Sequence, residues 1–102
     1  MIKKIILAIN NDKLEKKLKE KNNIKIKYRD LQYREAILEI LENDRQIDLI
    51  LIDEKLPGII SIEELIKKIK IINNKINIIF FWEKENQSKK DVLNKLNVKD
   101  IF

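Results

Sequence analysis

The sequence contains no cysteine and no histidine. Without cysteine there are no disulfides, no thiol nucleophile and no thiolate metal ligand. Without histidine, proton transfer near neutral pH needs a carboxylate or a lysine with a perturbed pKa, and zinc loses its commonest ligand. The composition therefore argues against hydrolases and metalloenzymes, and we predict that the chain is not an enzyme.

Glycine, proline and long apolar runs are also scarce. The single glycine, Gly58, excludes nucleotide binding through a glycine-rich phosphate loop. No segment approaches the roughly 20 apolar residues that span a bilayer. The apolar run near the N-terminus stops at Ile9 without the cleavage site of a signal peptide. We therefore predict a cytoplasmic protein without a membrane span.

The residues that are abundant fit one globular domain over 1–102. Hydrophobic residues make up 44% of the 102 residues and charged residues 38%. The net charge of +5 raises the question of nucleic-acid binding. Isoleucine, lysine and asparagine, which all have A/T-rich codons, dominate the chain, and no basic cluster is interleaved with aromatic residues. Nucleic acid is therefore a disfavoured partner.

The apolar pattern switches repeatedly between the period of a strand and that of a helix. Strands are predicted over 3–9, 24–28, 48–53, 76–82 and 98–102. Helices are predicted over 12–22, 32–46, a segment capped by Ser61, and 88–97. The strict alternation of 24–28 places that strand at a sheet edge. Strands that alternate with helices predict a doubly wound α/β domain with a parallel sheet.

Polar and aromatic residues lie where the predicted strands end. In a doubly wound sheet the functional site lies at the carboxyl ends of the strands. The residues at or directly after these ends are Asn10, Asn11, Asp12, Asp53 and Trp82. These residues are therefore the candidates for function.

The stretch DLILIDEKLPGIISIEEL, residues 48–65, resembles the response-regulator receiver domain. In that family the phosphoacceptor aspartate ends the third strand and a hydrophobic-Pro turn follows. The order and lengths of the predicted elements match over nearly the whole chain. The resemblance implies a flavodoxin-like five-stranded sheet of order 2-1-3-4-5 whose final helix is missing here, with Asp53 as candidate phosphoacceptor and Pro57 at the pocket.

Two positions depart from the receiver pattern. Receivers carry an acidic pair after the first strand that helps to bind Mg²⁺, but here Asn10 and Asn11 stand there, with Asp12 one position later. A neutral amide oxygen is a weaker ligand for Mg²⁺, so we expect at most weak binding by Asn11, Asp12 and Asp53, and no other cofactor. Asp12 is equally placed as a helix cap.

Trp82 is the second departure, because receivers have threonine or serine at the end of the fourth strand. An indole has no hydroxyl to bond a phosphoryl group. Trp82 either covers the end of the core or is an exposed anchor for a partner. The lysine that receivers carry after the fifth strand would fall beyond Phe102, and Lys99 does not take its place.

These departures favour a degenerate receiver-like domain (a pseudo-receiver) that acts in signalling or docking through protein–protein contact. A working receiver phosphorylated on Asp53 is the alternative, and a basic binding module or an unrelated flavodoxin-like fold is a third. The phrases YREAILEIL, DEKLPG and LNVKDIF resemble the receiver-like N-terminal domain of partition-type and pilus-assembly P-loop ATPases. That resemblance implies a fragment of a longer chain with an ATPase domain as partner. We also expect self-association at the fourth and fifth strands.

Overall fold

The computed structural model describes residues 2–9, 12–81 and 100–101, in which strands alternate with helices. The strands are β1 (Lys3–Ala8), β2 (Ile24–Tyr28), β3 (Leu49–Asp53), β4 (Asn77–Phe81) and β5 (Asp100–Ile101). The helices are α1 (Asp12–Lys19), α2 (Arg34–Asn43) and α3 (Ile62–Ile72). The predicted alternation is confirmed over these elements, and the helix predicted at 88–97 lies outside the described residues.

All strand pairs in the sheet are parallel, and the order is β2-β1-β3-β4-β5. β1 to β4 are each five or six residues long and follow the predicted order 2-1-3-4, with β2 at the edge as predicted. The fifth strand, whose start was predicted over 98–102, is not described over its predicted length. Only Asp100–Ile101 pair with β4, and the rest of that segment lies outside the described residues.

The two faces of the sheet are covered by different helices. On one face, Ile6, Ile50 and Phe80 pack into a fully buried cluster with residues of α2 and α3. On the other face, Leu51 is buried in a smaller cluster that includes Leu18 of α1. Because β1 and β3 are covered on both sides, both read as continuous apolar runs. The doubly wound α/β architecture is confirmed.

The helices are shorter than their patterns predicted. α2 begins at Arg34, and Tyr33 occupies its N-cap position with extended backbone and a side chain 61% exposed. Tyr33 therefore precedes the helix and faces solvent, although the helix predicted over 32–46 included it. α1 ends at Lys19 because the residues that follow Leu18 are polar and exposed until β2 begins. The Ser61 cap is confirmed, since its Oγ accepts a hydrogen bond from Glu64 N at 3.1 Å.

A polar cluster joins the edge strand β2 to the end of α2. The carboxylate of Asp44 accepts hydrogen bonds from Tyr28 Oη at 3.0 Å and Gln46 N at 2.9 Å, and forms an ion pair with Lys27. The bond from Lys27 comes first among the contacts that lower the pKa of Asp44 to about 2. The same cluster raises the pKa of Lys27 and of Tyr28. The edge strand is thus held by side chains as well as by the β1 ladder.

Among the described residues, no helix has the length and apolar character needed to cross a lipid bilayer.

Candidate functional site

A pocket of about 290 Å³ opens at the carboxyl ends of β1, β2 and β3. Because the three strands are parallel neighbours, their ends meet at one edge of the sheet. The pocket is lined by Leu7, Ala8, Ile9, Asp30, Leu31, Gln32, Asp53, Lys55, Leu56 and Pro57. The pocket therefore contains the predicted Asp53 and Pro57, at the edge of the sheet where the sequence pattern placed the site.

Asp53 is the last residue of β3 and organises the turn that follows. Its Oδ1 accepts a hydrogen bond from Lys55 N at 2.9 Å, and its carbonyl oxygen accepts one from Leu56 N at 3.0 Å. The next residue, Glu54, donates its N–H to the carbonyl of Phe81 at the end of β4. Asp53 is half-buried and lines the pocket. Its carboxylate thus stabilises the turn beside the pocket that Asp53 lines.

Pro57 connects the pocket to α2. Its carbonyl oxygen accepts a hydrogen bond from Arg34 N at 2.8 Å, which satisfies one of the free N–H groups at the start of that helix. The Arg34 guanidinium donates to the carbonyl of Ile60 at 2.7 Å and to that of Glu54 at 3.4 Å. Arg34 Nε is buried and has no hydrogen-bond partner among the described residues. One arginine therefore spans the loop that follows Asp53 and fixes it to α2.

Asp30 is a pocket residue that the sequence did not predict. It lies two residues after the end of β2 and has φ of 58°, a left-handed conformation that aspartate adopts more readily than most residues. Its carboxylate lies 3.5 Å from Arg29 Nε. Applying the strand-end rule to β2, as it was applied to β1, β3 and β4, would have identified this residue.

The other predicted site residues are not brought together with Asp53 within the described part of the chain. Asp12 is exposed, begins α1, and is not among the residues that line the pocket. Asn10, Asn11 and Trp82 lie outside the described residues. Within residues 2–9, 12–81 and 100–101, no three acidic, histidine or cysteine side chains form a group that could hold a metal ion. The metal ligand set therefore stays a prediction.

A second, open groove shares Pro57 with the pocket. It has a volume of about 480 Å³ and a mostly apolar lining. Its residues are Tyr33, Glu35, Ala36, Glu39, Pro57, Gly58 and Ile59. Pro57 lines both cavities, so the segment that follows Asp53 separates the candidate phosphoacceptor pocket from the groove.

The structure of the chain is similar to solved receiver domains. It aligns to the isolated REC domain of RcsB from Salmonella enterica serovar Typhimurium, solved in the presence of the phosphomimetic BeF3−, with a TM-score of 0.85. It aligns to the non-phosphorylated receiver domain of the stress response regulator RcsB from Escherichia coli with a TM-score of 0.84. The fold is that of a receiver domain. At 18% identity to both, the likeness shows the fold alone.

Coverage differs between these neighbours. All of this chain aligns, and it spans 77% of the Salmonella REC domain and 81% of the Escherichia receiver domain. It spans only 59% of the Salmonella RcsB chain that was solved bound to promoter rprA. No protein-family model matches the chain, and no curated protein matches it in sequence. The receiver-like fold that the resemblance implied is thus confirmed.

Proposed function

We propose that this receiver-like domain is a signalling or docking module that acts through protein–protein contact and has lost, or nearly lost, phosphorylation. The observation that carries the proposal is that Asp53 stands in the receiver position while Asn10 and Asn11 replace the acidic pair. Asp12, the remaining acidic residue there, does not line the Asp53 pocket. The chain is therefore proposed to lack the carboxylates that would hold Mg²⁺ beside an incoming phosphoryl group.

Receivers use a hydroxyl side chain directly after the fourth strand, and this sequence has none at that position. The chain contains no threonine, and its two serines are Ser61 and Ser88, neither of which follows β4 directly. Trp82 follows β4 and cannot donate a hydroxyl hydrogen bond to a phosphoryl group. This second departure supports the same proposal independently of the metal ligands.

A working phosphoacceptor receiver is the alternative function. Asp53 and Pro57 keep the receiver arrangement at an open pocket, and a similar fold was solved in the presence of BeF3−. We therefore propose BeF3− or acetyl phosphate, with Mg²⁺, as the discriminating probe. The degenerate domain should remain essentially unmodified in a mass spectrum after incubation with acetyl phosphate.

The matched control for this experiment is provided by the second aspartate of the pocket. A stoichiometric mass gain that disappears in Asp53→Asn and persists in Asp30→Asn would contradict the degenerate interpretation and establish the alternative. A rescue experiment tests the cause. If the missing carboxylates limit the reaction, Asn10→Asp with Asn11→Asp should raise Mg²⁺ affinity in a calorimetric titration, and unchanged affinity would show that other residues limit it.

We further propose that the domain works in the cytoplasm and precedes a P-loop ATPase domain in the same protein. The support is the similarity of residues 33–41, 53–58 and 96–102 to the receiver-like N-terminal domains of partition-type and pilus-assembly ATPases. The coding sequence downstream of residue 102 tests this, since a phosphate-binding loop of the form G-x-x-x-x-G-K-[ST] should follow. A continuation without one would contradict the ATPase context.

A further inference from the structure

The groove beside α2 concentrates exposed apolar surface. Ile59 is 97% exposed and Tyr33 is 61% exposed, and both line the groove. The other large apolar residues that are exposed within the described part of the chain, Ile2 and Ile71, do not line it. Two large apolar side chains that face solvent at one concave site are characteristic of an interaction surface.

The wall of the groove is held in place by specific contacts. The Glu35 carboxylate accepts hydrogen bonds from the backbone N–H groups of Ile59 and Ile60, and the Arg34 guanidinium bonds the Ile60 carbonyl. Gly58 lies so close to α2 that a Cβ built on it would be 2.8 Å from Arg34 Cβ. A preformed groove loses little conformational entropy when a ligand binds, so even a short peptide can occupy it.

The charge at the groove is opposite to that of the domain. Glu35 and Glu39 line it, in a chain whose net charge is +5. Hydrogen bonds from the backbone N–H groups of Glu35 itself and of Ile59 keep the pKa of Glu35 below its ordinary value, so this carboxyl stays ionised. Glu39 is exposed and forms no ion pair with any cation of the described residues. The groove therefore offers a negative site to a cation that comes from outside the described chain.

We propose that this groove, lined by Tyr33, Ile59 and Glu39, docks a segment of a partner protein that presents a large apolar side chain flanked by lysine or arginine. The apolar side chains that line the groove contact the large side chain of the partner, and Glu35 and Glu39 pair with the flanking cations. A second copy of this chain is a poorer occupant, because the self-association expected of the chain involves the fourth and fifth strand region, and no described residue of that region lines the groove. The inference deepens the docking function proposed above and rests on it.

The test uses the 102-residue chain and a labelled hexapeptide whose central Leu-Phe pair is flanked by two lysines on each side. Binding is measured by fluorescence anisotropy and located by amide chemical shifts in NMR spectra. We expect saturable binding with Kd below about 1 mM and shifts confined to the start of α2 and residues 57–60. A matched peptide with glutamates in place of the lysines, and one with Gly-Ser in place of Leu-Phe, should bind at least about tenfold more weakly.

Pairs of variants, one inside the groove and one outside it, test where the peptide binds. Ile59→Ser should weaken binding about tenfold, whereas Ile71→Ser, which changes an isoleucine on α3 that is 83% exposed, should not. Glu39→Lys should weaken binding, whereas Glu20→Lys, at an exposed glutamate after α1, should not. Absence of binding at about 1 mM peptide, or equal losses in both members of a pair, would overturn the proposal.

Two further outcomes separate this inference from others. If sedimentation shows a dimer that Ile59→Ser abolishes, the occupant is a second copy and the proposal of a partner peptide is wrong. The acetyl phosphate experiment is independent of the groove, so a phosphorylated Asp53 would contradict the degenerate function and leave the peptide result standing. Conversely, failure of the peptide to bind would leave the Asp53 conclusion unchanged.

Discussion

Substituting Gly58 by alanine tests how tightly the loop after Asp53 is packed against α2. A Cβ at this position would be 2.8 Å from Arg34 Cβ, 2.8 Å from Glu35 Oε2 and 3.0 Å from Arg34 Cδ. Carbon atoms pack at roughly 3.5–4.0 Å, so one of these neighbours has to move. Arg34 Cβ is attached to the helix backbone, and the Glu35 carboxylate is held by two backbone N–H groups. Neither neighbour yields easily.

Two opposing effects decide the sign of the change in stability. Overpacking of this kind costs about 1–3 kcal/mol. Gly58 does not have a positive φ, so alanine suits its backbone and gains about 0.4–1 kcal/mol by restricting the unfolded chain. The cost of overpacking is larger than the gain from restricting the unfolded chain. We therefore expect Gly58→Ala to lower the free energy of unfolding by about 1–2 kcal/mol.

Urea denaturation followed by circular dichroism measures this change, with the slope against urea concentration expected to stay constant. The matched control is the same substitution in a Glu35→Ala background. There one of the close contacts is gone, so the cost of Gly58→Ala should be smaller. A Gly58→Ala variant as stable as the parent chain, or an equal cost in both backgrounds, would refute the packing argument.

Three other expectations follow from the site and the sheet edge. Asp53→Asn should leave the free energy of unfolding unchanged or raise it by up to about 1 kcal/mol, because an amide oxygen can still accept the hydrogen bond from Lys55 N. A decrease of more than about 2 kcal/mol would instead show that the Asp53 carboxylate makes hydrogen bonds on which the fold depends. The pKa of Asp44 is lowered from 3.8 to about 2 in the folded chain, so its contribution is complete above about pH 3.8 and is lost as the pH falls towards 2. Stability measured over that window should fall more steeply in the parent chain than in Asp44→Asn, and equal slopes would contradict this. Finally, self-association through the fourth and fifth strand region near Trp82 or Phe102 should appear in sedimentation, and a monomer at high concentration would speak against it.

The sequence was sufficient to predict the alternation of elements and the order of the first four strands. The alternation depends on apolar periodicity, whereas the strand order was implied by the resemblance to receiver domains. Burial on two faces makes β1 and β3 continuous apolar runs. Helix ends were less predictable. Tyr33 has the right spacing for the buried stripe of α2, but it precedes the first helical turn and its side chain is exposed.

The sequence also identified Asp53 and Pro57, because both stand in a local pattern at the end of one strand. The role of Asp12 as a weak metal ligand or a helix cap stays a prediction. Asp12 is near the end of β1 in sequence, but it starts α1 and does not line the pocket. Asp30 was missed because the strand-end rule was not applied to β2, the strand that pairs with β1 in the sheet.

What the sequence determined by itself was the fold class and the identity of the residues at the end of β3, since both are encoded in local patterns along the chain. What only the tertiary structure decided was the environment of those residues. The groove consists of the start of α2 and the loop after β3, more than twenty positions away in sequence, and it exists because Arg34 and Glu35 bind that loop. Contacts at such separation depend on the packing of whole elements, so no local pattern of residues reveals them.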